Sequence, residues 1–151
     1  MSTWLAAAGG FLLAVLWFDL MFDAQALRAR GREPLPEPVL ASIAAYYRRV
    51  TTEAHPMGRL VGLVMVATFL GAAVDLALGR GPLARSALAL ALCGAPIVLA
   101  LARTLPNAVR LGARVDPPER QSALAHAIGR DHLVCLAAIT AFLALELGVG
   151  G

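Results

Sequence analysis

Two aspartates in the first long apolar segment are the residues of this chain most suited to chemistry. Asp19 and Asp23 are four positions apart, so in a helix they lie on the same face. They stand among Trp17, Phe18 and Met21, and a carboxylate in or near hydrocarbon is costly unless it is paired, hydrated or protonated. We therefore predict a functional role for both. The alternative is an ion pair with an arginine near the same end of the segment. The arginines considered are Arg48, Arg49, Arg110 and Arg130.

The histidines are predicted to lie in the same layer as these aspartates. His55, His126 and His132 all stand close to the predicted end of an apolar segment, where they could relay protons or bind a metal. The chain has no His-x-x-x-His or Glu-x-x-His pair, so the metal is left open, and hydrogen-bonded interfacial histidines are the alternative. The residues predicted to be catalytic are Asp19, Asp23, His55, His126 and His132.

Residues 46–49 combine aromatic and cationic side chains. Tyr46, Tyr47 and Arg49 could hold a flat aromatic or anionic ligand by stacking and guanidinium contacts. The alternative is anchoring at the level of the lipid headgroups, where tyrosine and arginine are common. We include the three residues in the predicted ligand-binding set.

The arginines predict how the chain crosses a membrane. About 20 mostly apolar helical residues cross ~30 Å of hydrocarbon, and four stretches come close to this length, at about 4–27, 57–78, 86–105 and 132–149. All 13 basic residues are arginines, and only Arg80 and Arg85 lie between the second and third stretches. The others lie in or beside two loops, 28–56 and 106–131. Positive loops stay in the cytoplasm, so both loops are predicted inside and both termini outside.

The predicted fold is therefore all-α: an integral membrane four-helix bundle with two amphipathic helical extensions on the cytoplasmic side, preceding spans 2 and 4. The alternative, a soluble helical bundle, does not fit a chain that is 59% hydrophobic and has four such apolar runs. The first extension follows Pro38, and its apolar residues recur every three or four positions, so that they share one helical face. These residues are Leu40, Ile43, Tyr47, Val50 and Ala54. The second should start near Pro118, with Asp116 as its N-cap.

The layout resembles the anthrone-oxygenase-like family of small four-span bacterial membrane proteins. The similarity lies in the four-span plan, in His55-Pro56 before the second span, and in the segment 105–111 (Leu-Pro-Asn-Ala-Val-Arg-Leu) after the third. That family often carries a Pro/Thr-Asn-x-x-Leu-like element there; here Asn107 stands four residues before Leu111. The resemblance implies binding or oxidation of a flat polycyclic or quinone-like molecule near the membrane face, and adds Asn107 and Arg110 to the ligand-binding set.

The predicted function is a small polytopic membrane protein whose inner-leaflet polar site binds or oxidises such a flat hydrophobic molecule, as a membrane oxidoreductase or oxygenase would. One alternative is a non-catalytic accessory or oligomerising subunit. Another is a small proton-coupled transporter that uses Asp19 and acts as a dimer. The predicted partners are the lipid bilayer, the hydrophobic molecule and further protein subunits. No nucleic acid is expected, because the arginines serve topology, and no cofactor is identifiable. The arginine-only composition suggests a bacterial cytoplasmic membrane.

Overall fold

The structure, a computed structural model, describes residues 3–29 and 31–148, with His55 described by its backbone only. The described part of the chain is 88% helical and contains no strand. Four helices are long and apolar enough to cross a membrane. The predicted all-α fold of a four-helix membrane bundle is thus confirmed, and the chain is a multi-pass membrane protein.

Six α-helices and two π-helical segments make up the described fold. The helices are α1 (Thr3–Arg28), α2 (Glu37–Arg48), α3 (His55–Ala77), α4 (Leu83–Leu99), α5 (Leu105–Ala113) and α6 (Pro118–Leu147). The π segments are Arg49–Glu53, which follows α2, and Ala100–Thr104, which joins α4 to α5. Helices α1, α3 and α6 and the continuous unit Leu83–Ala113 are the four that could span a bilayer.

Helix α6 contains both the predicted second extension and the fourth span. Its 30 residues extend over roughly 45 Å, well beyond the ~30 Å of a hydrocarbon core. Nothing in the sequence after Pro118 breaks the helix, so extension and span form one rod. The predicted N-cap at Asp116 is wrong: the cap residue is Pro117, which makes no side-chain bond. The Asp116 carboxylate instead accepts two hydrogen bonds from Arg110, each 2.7 Å long.

The sequence predicted that the third span ends at residue 105, just before Pro106. The helix that contains this span continues beyond that proline. The Leu105 N–H donates to the Ala100 carbonyl five residues earlier, and this wider turn leads into α5 with Pro106 in its first turn. A proline is tolerated there because its missing N–H is not needed at a helix start. The helix therefore continues past the proline to Ala113.

Helix α2 packs against α5 and α6 through the face predicted from its periodicity. Of the five residues on that face, Leu40, Ile43 and Tyr47 are buried, whereas Val50 and Ala54, which follow the end of α2, are half-buried. The backbones of α2 and α5 meet at Gly112, where an added Cβ would lie 2.7 Å from the Arg48 nitrogen. The loop before α2 is held to α6 by a 2.8 Å hydrogen bond from the Leu35 N–H to the Ser122 hydroxyl. These contacts fix α2 beside the ends of α1 and α6.

The spanning part of the bundle has a thin core and a broad apolar exterior. Leu5, Ala72, Cys93 and Phe142 belong to its buried cluster, and the Phe142 ring packs over Gly9. Many large apolar side chains point outward, above all on α3. The exposed ones on α3 are Met57, Leu60, Leu63, Val66, Phe69, Leu70 and Val74. Such a surface suits lipid.

Candidate functional site

Asp23 is the centre of a buried hydrogen-bonded cluster built by α1, α2 and α6. Its Oδ1 accepts a 2.6 Å hydrogen bond from the Tyr47 hydroxyl. Its Oδ2 lies 2.7 Å from His132 Nδ1. The Asp23 side chain is fully buried, at 0% exposure, so both of its oxygens depend on these two partners. The cluster thus joins three separate helices through one carboxylate.

Asp19 lies one helical turn earlier and is the more accessible carboxylate. Its Oδ1 accepts a 2.6 Å hydrogen bond from the Tyr46 hydroxyl, and its Oδ2 lies 3.8 Å from His132 Nε2. The Asp19 side chain is 16% exposed. The His132 ring therefore has Asp23 at one nitrogen and Asp19 at the other, and only the Asp19 side opens toward the surroundings.

Close packing of α1 on α6 makes this arrangement possible. Gly129 stands three residues before His132, on the same side of α6, and an added Cβ there would lie 3.4 Å from the Asp23 Cβ. The two helices are therefore close enough at this point for Asp23 to reach the histidine. Phe22 stacks on Tyr46 with ring centroids 3.9 Å apart, which orients the Tyr46 hydroxyl toward Asp19.

Both tyrosines remain hydrogen-bond donors over the whole neutral range. Burial, followed by the charges of Asp23 and Asp19, raises the pKa of Tyr47 well above its ordinary value. Burial and Asp19 raise the pKa of Tyr46 in the same direction. Each hydroxyl thus keeps its proton and donates it in a hydrogen bond to a carboxylate.

The cluster has the components of an acid–base site. A carboxylate on Nδ1 fixes the ring orientation and favours the tautomer that carries its proton there, which leaves Nε2 free to accept another. A second carboxylate beside Nε2 would stabilise the imidazolium that forms. Proton transfer to or from a group held between Nε2 and Asp19 is the chemistry these residues can perform.

Asp131, which directly precedes His132 in α6, makes a second set of polar contacts, which the sequence analysis did not identify. The Asp131 carboxylate lies 2.8 Å from an Arg103 guanidinium nitrogen and accepts a 3.2 Å hydrogen bond from the Thr104 hydroxyl. Both partners belong to the π segment between α4 and α5. The position of Asp131 beside His132 is the signal in the sequence that could have indicated these contacts. Arg103 was used only to predict the membrane topology.

The structure brings together five of the ten predicted site residues: Asp19, Asp23, His132, Tyr46 and Tyr47. No described arginine is the partner of either aspartate, so the predicted ion-pair alternative is wrong for the four arginines considered.

Four other predicted residues lie outside the cluster. His126 Nε2 is 2.7 Å from a Glu33 carboxylate oxygen near the surface, because six residues along α6 turn it away from His132. Arg110 binds Asp116, Arg49 is exposed, and Asn107 is half-buried on α5. The tenth, His55, begins α3, but its side chain lies outside the described residues.

Metal binding stays an open prediction. Within residues 3–29 and 31–148, His55 aside, no group of three or more His, Cys, Asp or Glu side chains is arranged to hold a metal ion. In the cluster, one oxygen of each carboxylate accepts a hydrogen bond from a tyrosine hydroxyl.

Comparisons with known proteins add no relative. No protein-family model matches the chain, and neither the curated proteins nor the solved structures contain a significant match. The resemblance to the anthrone-oxygenase-like family thus stays a prediction from layout and short motifs, and the functional argument depends on the geometry of the cluster.

Proposed function

We propose that the Asp19–Asp23–His132 cluster binds a flat hydrophobic molecule that carries an acidic hydroxyl, such as a quinol or polycyclic phenol, and accepts its proton. The observation that carries this proposal is the position of the His132 ring between two carboxylates, with Nδ1 held by Asp23 at 2.7 Å and Nε2 facing the partly exposed Asp19. A histidine held in this way is suited to act as a general base.

A hydrophobic ligand would reach the cluster from lipid. Asp19 lies on α1 beside side chains that face outward, and Trp17, Phe18 and Met21 are each more than half exposed. The stacked rings of Phe22 and Tyr46 offer an aromatic wall next to the carboxylate. A flat ring could lie against these groups while its hydroxyl points at Nε2.

The proposed step moves one proton. The hydroxyl O–H bond of the ligand breaks, the proton passes to His132 Nε2, and the ligand remains as its oxyanion. Asp23 and Asp19 stabilise the resulting imidazolium. Loss of this proton makes an aromatic ring easier to oxidise, so an oxidoreductase or oxygenase reaction of the kind predicted from the sequence could follow from it.

The test compares two histidines of the same helix. A hydroxynaphthalene probe in lipid vesicles reports its ionisation by absorbance, and purified protein in those vesicles should lower the apparent pKa of the probe by about one unit. His132→Gln should abolish this effect, since glutamine cannot accept the proton. His126→Gln is the matched control and should leave it intact.

Two outcomes would count against the proposal. One is an unchanged probe titration with wild-type protein. The other is an equal loss in both variants. If His132→Gln instead lowers only the unfolding free energy and wild-type protein leaves the probe unaffected, the cluster is a structural link between helices, as the accessory-subunit alternative requires.

We further propose that the chain lies in a bacterial cytoplasmic membrane with both termini outside and the cluster near the cytoplasmic face. The support is the placement of most arginines in two of the three loops. An N-terminal tag should then react with a membrane-impermeant reagent on intact cells, and protection of the tag would reverse the orientation. Assembly into a homo-oligomer or a larger complex remains a proposal from the sequence.

A further inference from the structure

A cavity lies at the opposite end of the bundle from the Asp23 cluster. Its volume is about 460 Å³, and it is formed where α1 begins, α3 ends, α4 begins and α6 ends. Trp4 and Ser86 are among its walls, and its lining carries both positive and negative side chains, Arg80, Arg85, Asp75 and Glu146. Its residues stand at the ends of membrane-spanning helices, which is the level of lipid headgroups.

The arginines of this cavity keep donors for a ligand. Arg80 uses one nitrogen to bind Asp75 at 3.1 Å, and Arg85 uses one to donate a 2.6 Å hydrogen bond to the Leu145 carbonyl. A guanidinium group has five N–H donors in a planar fork. The contact to Leu145 also holds the Arg85 side chain in place, so its remaining donors are pre-oriented for an anion such as phosphate.

The negative charge of the cavity is less exposed than the positive charge. Glu146 is 8% exposed, and no hydrogen bond or ion pair within 4.0 Å links its carboxylate to another side chain in residues 3–29 and 31–148. A carboxylate that lines a cavity can accept hydrogen bonds from a ligand there. Trp4 supplies an aromatic wall nearby, and a cationic ammonium group interacts well with both a carboxylate and an indole.

We propose that this cavity binds a zwitterion composed of a primary ammonium group and a phosphate, as in phosphoethanolamine. The phosphate takes the free donors of Arg85 and Arg80, and the ammonium group donates hydrogen bonds to Glu146. A trimethylammonium group has no N–H to donate, so the site discriminates against phosphocholine. This inference is independent of the proton-transfer site. The zwitterion can come from the headgroup of a membrane lipid or from a free small molecule.

The experiment measures retention of two lipids on the full-length protein. Protein in detergent is equilibrated with equal amounts of phosphatidylethanolamine and phosphatidylcholine, and bound lipid is counted by native mass spectrometry. Wild-type protein should retain the ethanolamine lipid about tenfold better, as expected for charge-assisted hydrogen bonds. Glu146→Gln should reduce this preference to about twofold or less. Glu119→Gln, at the exposed far end of α6, is the control and should keep it.

A second arm separates the two sources of the zwitterion. Soluble O-phosphoethanolamine is added without lipid, with phosphocholine as its control. Binding of the soluble compound would show that the headgroup alone suffices, and retention restricted to the lipid would identify the membrane as the source. Equal retention of ethanolamine and choline compounds by wild-type protein in both arms would overturn the proposal.

A cavity-filling variant covers the case in which Glu146→Gln does not fold. Ser86→Leu keeps every charge but adds bulk to the cavity wall, and leucine is well accepted in a helix. Its helical circular dichroism should match the wild type, while its retention of the ethanolamine lipid falls about tenfold. Unchanged retention in this variant would place the lipid elsewhere and refute the site.

Discussion

The two ends of the bundle satisfy their carboxylates in different ways. In the Asp23 cluster the partners are neutral or switchable donors, two tyrosine hydroxyls and a histidine, and the central side chain is fully buried. At the end where α3 turns into α4, Asp75 pairs with Arg80, which is 60% exposed. The first arrangement contains a histidine, His132, which can take up a proton. The second is an ion pair between Asp75 and Arg80, in which both side chains are charged. The contrast suggests acid–base work at one end and recognition of charge at the other.

Removal of the Asp23 carboxylate is expected to have the largest effect on stability. Asp23→Ala leaves the buried donors of Tyr47 and His132 without a partner, and should lower the free energy of unfolding by about 3 kcal/mol. The measurement is denaturation of the purified protein in mixed micelles, followed by circular dichroism. Asp116→Ala, whose carboxylate binds Arg110 at the surface, is the control. If both variants lose the same stability, the cluster is no more important to the fold than a surface pair.

A pair of glycines tests whether the contact between α2 and α5 is tighter than the outward surface of α3. Gly112→Ala should lower the unfolding free energy by about 1 to 3 kcal/mol, because the new methyl group would meet the Arg48 backbone at 2.7 Å. Gly62→Ala on α3, which has no atom within 4 Å of the added Cβ, should raise it by about 0.5 to 1 kcal/mol. The same denaturation assay applies, and a loss in both variants would show that the surface around Gly62 is covered.

The smallest effect is expected from the exposed ion pair. Arg80→Gln removes the 3.1 Å contact to Asp75 and should change the unfolding free energy by less than about 1 kcal/mol, since solvent screens the pair. Differential scanning fluorimetry in detergent is sensitive enough to compare it with Asp23→Ala. A loss as large as that of Asp23→Ala would mean that the two ends do not differ in the way described above.

Periodicity and hydropathy were sufficient to predict the four apolar helices and the buried face of α2. The four apolar runs follow from the length of hydrocarbon that a helix must cross. The buried positions of α2 follow from the spacing of its apolar residues. The shared face of Asp19 and Asp23 follows from their spacing. The arrangement around them could not be derived, because it depends on how far each helix rotates about its axis. That rotation is decided by local contacts such as the close approach at Gly129.

The errors in the sequence analysis have the same origin. His126 and His132 were grouped because both lie near a membrane boundary, yet six residues of helix separate their directions. Pro106 was taken as a helix end, but a proline can occupy the first turn of a helix that follows a wider turn. Asp116 had the sequence of an N-cap, but a nearby Arg110 competes for the same carboxylate. In each case the geometry of the helix or a nearby side chain overrode the preference of the residue itself.

The wide turn at Ala100–Thr104 sets the angular register of everything that follows it in the third span. Deletion of one residue within it would rotate α5 by roughly 100°. The buried Ala108 and Leu111 would then turn away from α2. Helix α2, which carries Tyr46 and Tyr47, would lose these packing contacts. A change in chain length, with no change in polarity, could therefore dismantle the acid–base cluster from a distance.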